Sequence, residues 1–396
     1  MEKLTVQEAL QRSRFYVDSL TVDSPENDPA EVITTENRFF TWDNEHRTPD
    51  TKPYLFNWSY YNGVITEGLT YIYQQTHDEK YLNYAKSYIN AMLVEGEDGS
   101  VSLNPRTAGY VDHHGLDCYK SASLVALLAD EDPRYDKLLA DLYRDLTDPS
   151  HVNSKGNVVA TEFSEEALGG NYWHSWAGQK PPKYKVWLDG LYMIQPFLAR
   201  FASAIVDEVQ MDRIVKRLLW VSENLLCANG LYYHAANSRE DVCAWHWLRA
   251  IGWYGMALVD VMEVLPKEKA EALAPALRVF VDGMLPYRRE GGMWANLVDH
   301  PVTETNRLET SGTAMIIYTL LKGVRLGYLP ETCREPAITA FVSTVNLKLK
   351  DNHLTDIYLK ASANNTNNYE DPAYYLPDEG KGSGPFIMAY SEALRL

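Results

Sequence analysis

The residues best suited to acid–base chemistry on a sugar are gathered between positions 173 and 253. Carboxyl, imidazole and guanidinium groups are interleaved there with indoles: Trp173, His174, Trp176, Trp187, Asp189, His234, Trp245, His246, Trp247, Arg249 and Trp253. An indole face can bind the apolar face of a pyranose ring, and an arginine can hold a carboxylate through two parallel hydrogen bonds. A carboxylic acid among them could deliver a proton.

Asp189 is the main candidate for that acid. It opens an otherwise apolar segment beside Trp187, and an indole next to a carboxyl group desolvates it and raises its pKa. The other explanation for an acid in a first helical turn is favourable placement at the positive end of the helix dipole. Asp117 opens another predicted helix and is the best candidate for a second acid, although it also suits an N-cap.

Arg249 is flanked by Trp247 and Trp253 near a predicted helix start. Core packing explains one tryptophan easily, but a buried guanidinium needs an anion. A structural glutamate and a substrate carboxylate are both open as that anion. His174 and His234 suit either the site or an ordinary hydrogen-bonded position.

Several other kinds of site lack their sequence patterns. The chain contains no HExxH or His-x-x-x-His metal pattern, no GxSxG nucleophile elbow and no glycine-rich phosphate loop after a strand. We therefore expect no metal and no cofactor.

Helical periodicity dominates the elements that must position these residues. Apolar residues recur at steps of three and four, and this pattern predicts helices at 5–21, 58–75, 79–95, 117–130, 133–146, 187–205, 208–228, 245–265, 267–283, 308–326, 332–347 and 384–395. Twelve helices correspond to six helical hairpins. The sequence therefore predicts an all-α fold, an (α/α)6 toroid, with residues 1–396 forming a single domain.

Two long segments interrupt this pattern. Residues 22–57 and 348–383 are rich in polar residues and predict loops that cap the mouth of the toroid, and loops of this length in a compact domain often carry function. Shorter stretches at 230–234 and 291–294, rich in Tyr, Trp and Gly, predict loops or brief strands.

Charge and composition restrict the partners. With 37 basic against 54 acidic residues the net charge is -17, which disfavours nucleic acid and anionic membranes. A negatively charged substrate must then be held by a few local cations. No segment approaches the ~20 apolar residues of a membrane span, and the sequence does not indicate an oligomeric state.

The compartment is predicted from the cysteines and the first residues. Cys118, Cys227, Cys243 and Cys333 show no metal-ligand spacing and are expected to be buried free thiols. The start lacks an apolar signal stretch, so a cytoplasmic protein is expected, or a periplasmic one if a signal peptide has been removed.

At these motifs the chain resembles a known family. It is similar to the unsaturated rhamnogalacturonyl and unsaturated glucuronyl hydrolases of glycoside hydrolase family 105. The segments that carry the resemblance lie at 187–193 (WLDGLYM), 247–260 (WLRAIGWYGMALVD), 309–315 (ETSGTAM), 322–328 (KGVRLGY) and 381–386 (KGSGPF).

The resemblance implies an (α/α)6 fold and an unusual glycosidase reaction. The substrate is an oligosaccharide, left by a polysaccharide lyase, that ends in a Δ4,5-unsaturated uronic acid. An acid protonates C4, water adds at C5, and the hemiketal collapses to release the next sugar. The resemblance further implies that Asp189 is the acid and base and Asp117 the second acid. Substrate contacts are then expected from His174, Trp187, His234, Trp247, Arg249 and Trp253.

Three departures from the family pattern bear on the substrate. Cys118-Tyr-Lys-Ser-Ala122 follows Asp117 in place of the usual residues, the stretch 149–172 has an unusual length, and Lys183-Tyr-Lys185 replaces the usual segment before the catalytic helix. Lys183 or Lys185 could bind an acidic or sulfated sugar instead of rhamnose, or could be solvated.

Other functions fit the same sequence. A sugar epimerase or a glycan lyase can share the toroid but would place a Tyr or His base where Asp189 stands. A non-catalytic glycan-binding toroid would keep the aromatic site without turnover.

Overall fold

The computed structural model describes residues 4–21, 58–105, 107–108, 115–130, 132–148, 184, 186–359, 361, 363 and 366–396. Twelve α-helices lie in these residues: α1 (Val6–Leu20), α2 (Tyr60–Thr76), α3 (Glu79–Asn90), α4 (Lys120–Ala129), α5 (Asp136–Thr147), α6 (Leu188–Ile205), α7 (Glu208–Asn224), α8 (Leu248–Val264), α9 (Lys267–Met284), α10 (Thr310–Arg325), α11 (Arg334–Lys348) and α12 (Gly380–Ala393). Each corresponds to one predicted helix.

The helices form two concentric rings. The even-numbered helices pack side by side in the order α2, α4, α6, α8, α10 and α12, and α12 returns to α2, so the inner ring is closed. Each of the helices α3, α5, α7, α9 and α11 lies outside the inner helix that precedes it, while α1 packs on α11 and α12. The predicted (α/α)6 toroid is confirmed. None of the helices in the described ranges is long and apolar enough to cross a membrane.

Inner helices are buried on nearly every face because each contacts two ring neighbours and an outer partner. Glycines allow the close approach in several places. A Cβ atom on Gly312 of α10 would lie 2.4 Å from Cγ of Leu248, and one on Gly252 of α8 would lie 2.7 Å from Cβ of Met315. The α8–α10 contact therefore has no room for a side chain at either position.

The described parts of the connections contain nine short strands: β1 (Leu93–Glu95), β2 (Val101–Leu103), β3 (Val186–Trp187), β4 (Ala235–Ser238), β5 (Asp241–Cys243), β6 (Leu349–Lys350), β7 (His353–Leu354), β8 (Ile357–Tyr358) and β9 (Tyr375–Leu376). All of their pairings are antiparallel, and β3, β4 and β5 form one small sheet. The strands β6 to β9 belong to the segment 349–379, which we call the capping excursion. The other predicted capping segment, 22–57, lies outside the described residues.

Three predicted helix boundaries were wrong by four residues or more. The helix predicted at 208–228 ends at Asn224. The third helix ends at Asn90 instead of 95, since Leu93–Glu95 pairs with Val101–Leu103 as a hairpin. The last helix begins at Gly380 instead of 384, because Glu379 caps it by accepting a hydrogen bond from the Lys381 backbone N–H.

Paired charges lie inside the inner ring. The ammonium group of Lys322, 1% exposed, lies 2.7 Å from Oδ1 of Asp260 and 2.6 Å from Oε2 of Glu263. The hydroxyl groups of Tyr192 and Tyr318 donate to the two oxygens of Asp260 at 3.0 and 2.7 Å. These contacts join α6, α8 and α10 and satisfy groups that would otherwise be costly to bury.

The structure largely agrees with the expectation that the four cysteines are buried free thiols. In the described residues they form no disulfide, and Cys118, Cys243 and Cys333 are buried while Cys227 is half-buried.

Candidate active site

The N-terminal ends of the inner helices meet at one mouth of the toroid. Inner and outer helices alternate along the chain, so all inner helices run in the same direction. The first turns of these helices carry, among others, Tyr60, Asp189, Arg249, Ser311 and Lys381. Converging N-termini present backbone N–H groups and positive dipole ends, which favour an anionic ligand.

Asp189 and His234 form the central pair of this mouth. Asp189 lies in the first turn of α6, and its Oδ2 atom is 3.1 Å from Nε2 of His234. The imidazole is completely buried, whereas the aspartate side chain is 14% exposed. A carboxyl group that contacts solvent on one side and an imidazole on the other can act as an acid or a base.

The small sheet explains how two residues 45 positions apart meet. Trp187 in β3 pairs with Ala235 in β4, and the backbone N–H of Leu188 donates to the His234 carbonyl at 3.1 Å. The strand pairing therefore fixes the start of α6 against the segment that carries His234. The Trp187 indole N–H donates to the Tyr184 carbonyl at 3.0 Å, which fixes that ring as well.

Aromatic rings enclose the His234 imidazole. Its ring centroid lies 5.1 Å from that of Trp187, 5.0 Å from that of Trp247 and 5.9 Å from that of Tyr369. The Tyr369 hydroxyl lies 2.8 Å from Nδ1, so both ring nitrogens have partners. Tyr369 comes from the capping excursion, 135 positions along the chain.

Arg249 is a buried cation at the start of α8. Its guanidinium carbon lies 4.3 Å from the ring centroid of Trp247, and the residue as a whole is 2% exposed. It donates to the carbonyls of Tyr358 and Leu359 and to the Ser311 hydroxyl. Within the described residues it makes no direct ion pair with a carboxylate, although the buried Glu379 interacts with its charge at longer range.

Glu309 organises the wall beside Arg249. It caps α10 through the backbone N–H groups of Ser311 and Gly312, at 3.0 and 2.7 Å. Its carboxylate also accepts from the Ser311 hydroxyl at 2.7 Å and from the Tyr358 N–H at 3.1 Å. The acid thus holds two of the groups that contact the guanidinium, instead of pairing with it.

Asp117 faces the same region from the 3-10 helix Gly115–Tyr119, which packs on α6. Burial raises the pKa of the Tyr60 phenol well above its usual value, and the charge of Asp117 raises it further, while Arg249 opposes the shift. Asp189 and Glu379 act on the phenol in the same direction as Asp117. Both predicted acids are therefore near Tyr60.

Glu379 and Lys381 complete the mouth at the start of α12. Their side chains are 0% and 8% exposed, and the ammonium group lies 3.5 Å from Oε1 of the glutamate. Burial raises the pKa of Glu379, against the charges of Lys381 and Arg249. The mouth thus holds a second buried cation in addition to Arg249.

The structure brings together most of the predicted site residues: Asp189, His234, Trp187, Trp247 and Arg249, with Asp117 beside Tyr60. Trp253 lies deeper, 1% exposed, stacked on Tyr192 at 5.0 Å and edge-on to Tyr60 at 6.2 Å. His174 lies outside the described residues. The roles of all these predicted site residues towards a substrate stay predictions.

Several residues of the mouth did not figure among the predicted site residues, among them Tyr60, Glu309, Ser311, Tyr369, Glu379 and Lys381. Glu309 stands in a segment that carries the family resemblance, and Tyr369 stands in a predicted capping loop, but neither signal identifies a role. Within the described ranges, no group of three His, Cys, Asp or Glu side chains could hold a metal ion.

Sequence comparisons relate the chain to carbohydrate-active enzymes. The family model described as Glycosyl Hydrolase Family 88 matches residues 32–396. The "24.9 kDa protein in picA locus" of Rhizobium radiobacter is 34% identical over 197 residues, 43% of this chain and 84% of that protein. The unsaturated rhamnogalacturonyl hydrolase YesR of Bacillus subtilis is 20% identical over 283 residues, 68% of this chain and 72% of the relative.

Solved structures share the fold. A glycoside hydrolase from family 105 of C. acetobutylicum is 29% identical, with a TM-score of 0.71 over 86% of this chain and 94% of that one. An unsaturated glucuronyl hydrolase from a Bacillus species is 14% identical, with a TM-score of 0.63 over 96% of both chains. At that identity the second likeness concerns the fold alone.

Proposed function

Because the chain belongs to Glycosyl Hydrolase Family 88 and is a glycoside hydrolase of the unsaturated uronyl hydrolase type, we propose that its substrate is a lyase-generated pectin-type oligosaccharide. The enzyme removes a Δ4,5-unsaturated uronic acid from the non-reducing end, and the rhamnogalacturonan fragments are the preferred class. The name of YesR supports this choice of polymer.

The observation that carries the proposal is the buried guanidinium of Arg249. Two backbone carbonyls and a hydroxyl hold it, so its direct partners among the described residues are neutral groups, while the buried Glu379 interacts with its charge at longer range. A uronate carboxylate supplies a direct anionic partner and can engage the guanidinium through charge-assisted hydrogen bonds. Trp247, stacked on the same guanidinium, provides a flat surface for the sugar ring.

The Asp189–His234 pair then has a defined task. Asp189 gives its proton to C4 of the enol ether, and the positive charge that develops at C5 is shared with the ring oxygen. Water adds at C5 and its proton returns to the Asp189 carboxylate, so the acid is regenerated. The hemiketal at C5 opens, the resulting hemiacetal at C1 collapses, and the aglycone sugar leaves with its hydroxyl group.

Asp117, which like Asp189 lies near Tyr60, assists this step. A second carboxylate near the acid disfavours ionisation of Asp189 and can orient the attacking water. The separation between two carboxylates that distinguishes retaining from inverting glycosidases does not apply, because the reaction does not displace a group at the anomeric carbon.

The proposal is tested by following the ultraviolet absorbance of the conjugated carboxylate in a panel of unsaturated disaccharides. The panel includes lyase products of rhamnogalacturonan, homogalacturonan, glucuronan and a sulfated glycosaminoglycan. Hydration destroys the double bond, so the absorbance falls, and the substrate with the highest kcat/KM identifies the polymer.

Two results would contradict parts of this proposal. Binding of the disaccharides without any loss of absorbance would exclude hydration and favour a glycan-binding protein. A preference for glucuronan or glycosaminoglycan fragments over the rhamnogalacturonan product would support the proposed reaction but contradict the proposed polymer.

A further inference from the structure

Tyr369 joins the capping excursion to the catalytic pair. Its side chain is completely buried, and its hydroxyl lies 2.8 Å from Nδ1 of His234 and 3.6 Å from Sγ of Cys243. The other ring nitrogen of His234 contacts Asp189. Four polar groups, from the thiol to the carboxyl, therefore stand in one continuous chain.

The excursion is anchored so that this contact is held in place. The side-chain amide of Asn296 donates to the Tyr369 carbonyl at 2.6 Å, and the Trp247 indole N–H donates to Oδ1 of Asn296 at 2.9 Å. The Tyr369 ring also packs on Trp245, with a centroid distance of 5.3 Å. The phenol cannot swing away from the imidazole without breaking these contacts.

The directions of the hydrogen bonds decide what this chain does to Asp189. We propose that Tyr369 is a positioning residue that selects the tautomer of His234 with the proton on Nδ1. Its hydroxyl donates to the Cys243 sulfur, and its oxygen accepts from Nδ1–H. The lone pair on Nε2 then accepts a hydrogen bond from protonated Asp189, which holds the acid in the form that the reaction needs. This role rests on the proposed function of Asp189.

The opposite arrangement would have the opposite effect. If the phenol donated to Nδ1, the proton of the imidazole would sit on Nε2 and would donate to an ionised Asp189, stabilising the carboxylate. Burial raises the pKa of Tyr369 far above neutrality, and its contact with Cys243 shifts the pKa in the same direction. The phenol is therefore protonated, and the Cys243 sulfur lies 3.6 Å from its oxygen, within reach as an acceptor of its hydrogen.

Tyr369→Phe tests the assignment because it removes the acceptor of Nδ1–H and keeps the ring. The imidazole proton then moves to Nε2, and the pKa of Asp189 falls. We expect the falling limb of the kcat–pH profile, where the acid loses its proton, to move about one unit towards lower pH. At neutral pH kcat falls about tenfold, while KM changes little, since Tyr369 lies behind His234.

A spectroscopic measurement reads the tautomer without substrate. In the 15N spectrum of the labelled protein, with His234 assigned from the His234→Gln variant, we expect Nδ1 to be protonated in the wild type and unprotonated in Tyr369→Phe. If Nδ1 is unprotonated in the wild type, or if neither the spectrum nor the pH profile changes, the inference is wrong. Because the spectrum does not depend on turnover, it stays decisive even if no unsaturated sugar is hydrolysed.

Two more variants separate positioning from folding. Tyr375→Phe is the control in the same excursion. The variant removes a buried hydroxyl group that accepts from the Arg307 backbone N–H and donates to the Thr305 carbonyl. It should leave the pH profile and the His234 spectrum unchanged. Cys243→Ala removes the acceptor of the phenol hydrogen, which then turns to Nδ1. It should shift the profile in the same direction as Tyr369→Phe, and an unshifted profile in a folded Cys243→Ala protein contradicts the proposed bond directions.

Discussion

His234 contacts Asp189 through Nε2 at 3.1 Å, and the imidazole is 0% exposed while the aspartate side chain is 14% exposed. The carboxyl group is thus the member of the pair that solvent and a substrate can reach. The imidazole acts from behind it.

Replacing Asp189 by Asn should abolish turnover and leave binding. An amide keeps the shape of the side chain but has no proton to give at C4, and general acid catalysis contributes about 10²–10⁴ in rate. The loss is measured as kcat from the fall in ultraviolet absorbance. Asp141→Asn, at a 40%-exposed position in α5, is the matched control and should keep full activity; retained activity in Asp189→Asn would assign the acid elsewhere.

Replacing Arg249 by Lys should weaken the recognition of a charged substrate specifically. A lysine keeps the charge but cannot form two parallel hydrogen bonds with a carboxylate. We expect kcat/KM to fall at least about tenfold on the free acid, and the loss of a buried charge contact can reach about 2–5 kcal/mol. The methyl ester of the same disaccharide, which has no charge, should be a poor substrate for both proteins.

Comparing kcat/KM on the free acid with kcat/KM on its methyl ester therefore tests whether Arg249 binds the carboxylate. If Arg249 binds the carboxylate, the ratio between acid and ester must shrink in Arg249→Lys, and an unchanged ratio would place the carboxylate elsewhere. Arg289→Lys is the matched control, since Arg289 also donates to two backbone carbonyls, those of Val298 and His300. Its acid-to-ester ratio should equal that of the wild type.

The Glu263 carboxylate should make the free energy of unfolding depend on pH in the acidic range. Burial would raise its pKa, but Lys322 and Arg325 outweigh that effect and lower the pKa to about 2. Because the folded value lies below the ordinary 4.5, the carboxylate contributes stability above pH ~4.5 and loses this contribution as the pH falls from there towards 2. The shift corresponds to a contribution on the order of 3 kcal/mol.

The measurement is the free energy of unfolding by urea at several pH values. Glu263→Gln should be less stable than the wild type at neutral pH, and the two curves should approach each other as the solution is acidified. Glu271→Gln serves as the control, because Glu271 is 56% exposed and pairs with the exposed Lys267 at 3.6 Å. Parallel curves for the wild type and Glu263→Gln would contradict the prediction.

Gly283→Ala should destabilise the toroid. A Cβ atom there would lie 1.9 Å from the carbonyl oxygen of Gly230, so two backbone segments must separate. We expect a loss of about 1–3 kcal/mol, measured from the denaturation midpoint. At Gly380 the nearest atom to an added Cβ is 3.3 Å away, so Gly380→Ala should cost clearly less; equal losses would show that the α9 contact can relax.

The helical ring could be predicted from the sequence because apolar periodicity is a local signal. The start of α12 was missed for a reason that is not local. Its glycines are typical of a loop, but a Cβ at Gly382 would lie 2.5 Å from Cγ1 of Ile357. Contact with the capping excursion, which no helical pattern reveals, requires a glycine in that turn.

In the candidate site, too, some residues could be predicted from local sequence motifs and others could not. Asp189, Trp187 and Arg249 stand in specific motifs at helix starts, so residue type and position both identified them. Tyr369 contacts His234 across 135 positions, and its surroundings in sequence are typical of many surface loops. Only the folded excursion shows that this tyrosine, among the 27 in the chain, contacts the imidazole.

The closed inner ring has a consequence for synthesis on the ribosome. The last helix of the ring, α12, packs between α2 and α10, and Tyr16 of α1 contacts Ser383 at 2.8 Å. The surfaces of α2 and α10 that α12 covers therefore stay exposed until α12 has left the ribosome. A chain halted before residue 380 would therefore lack the helix that covers the flanks of α2 and α10, and its inner ring would stay open.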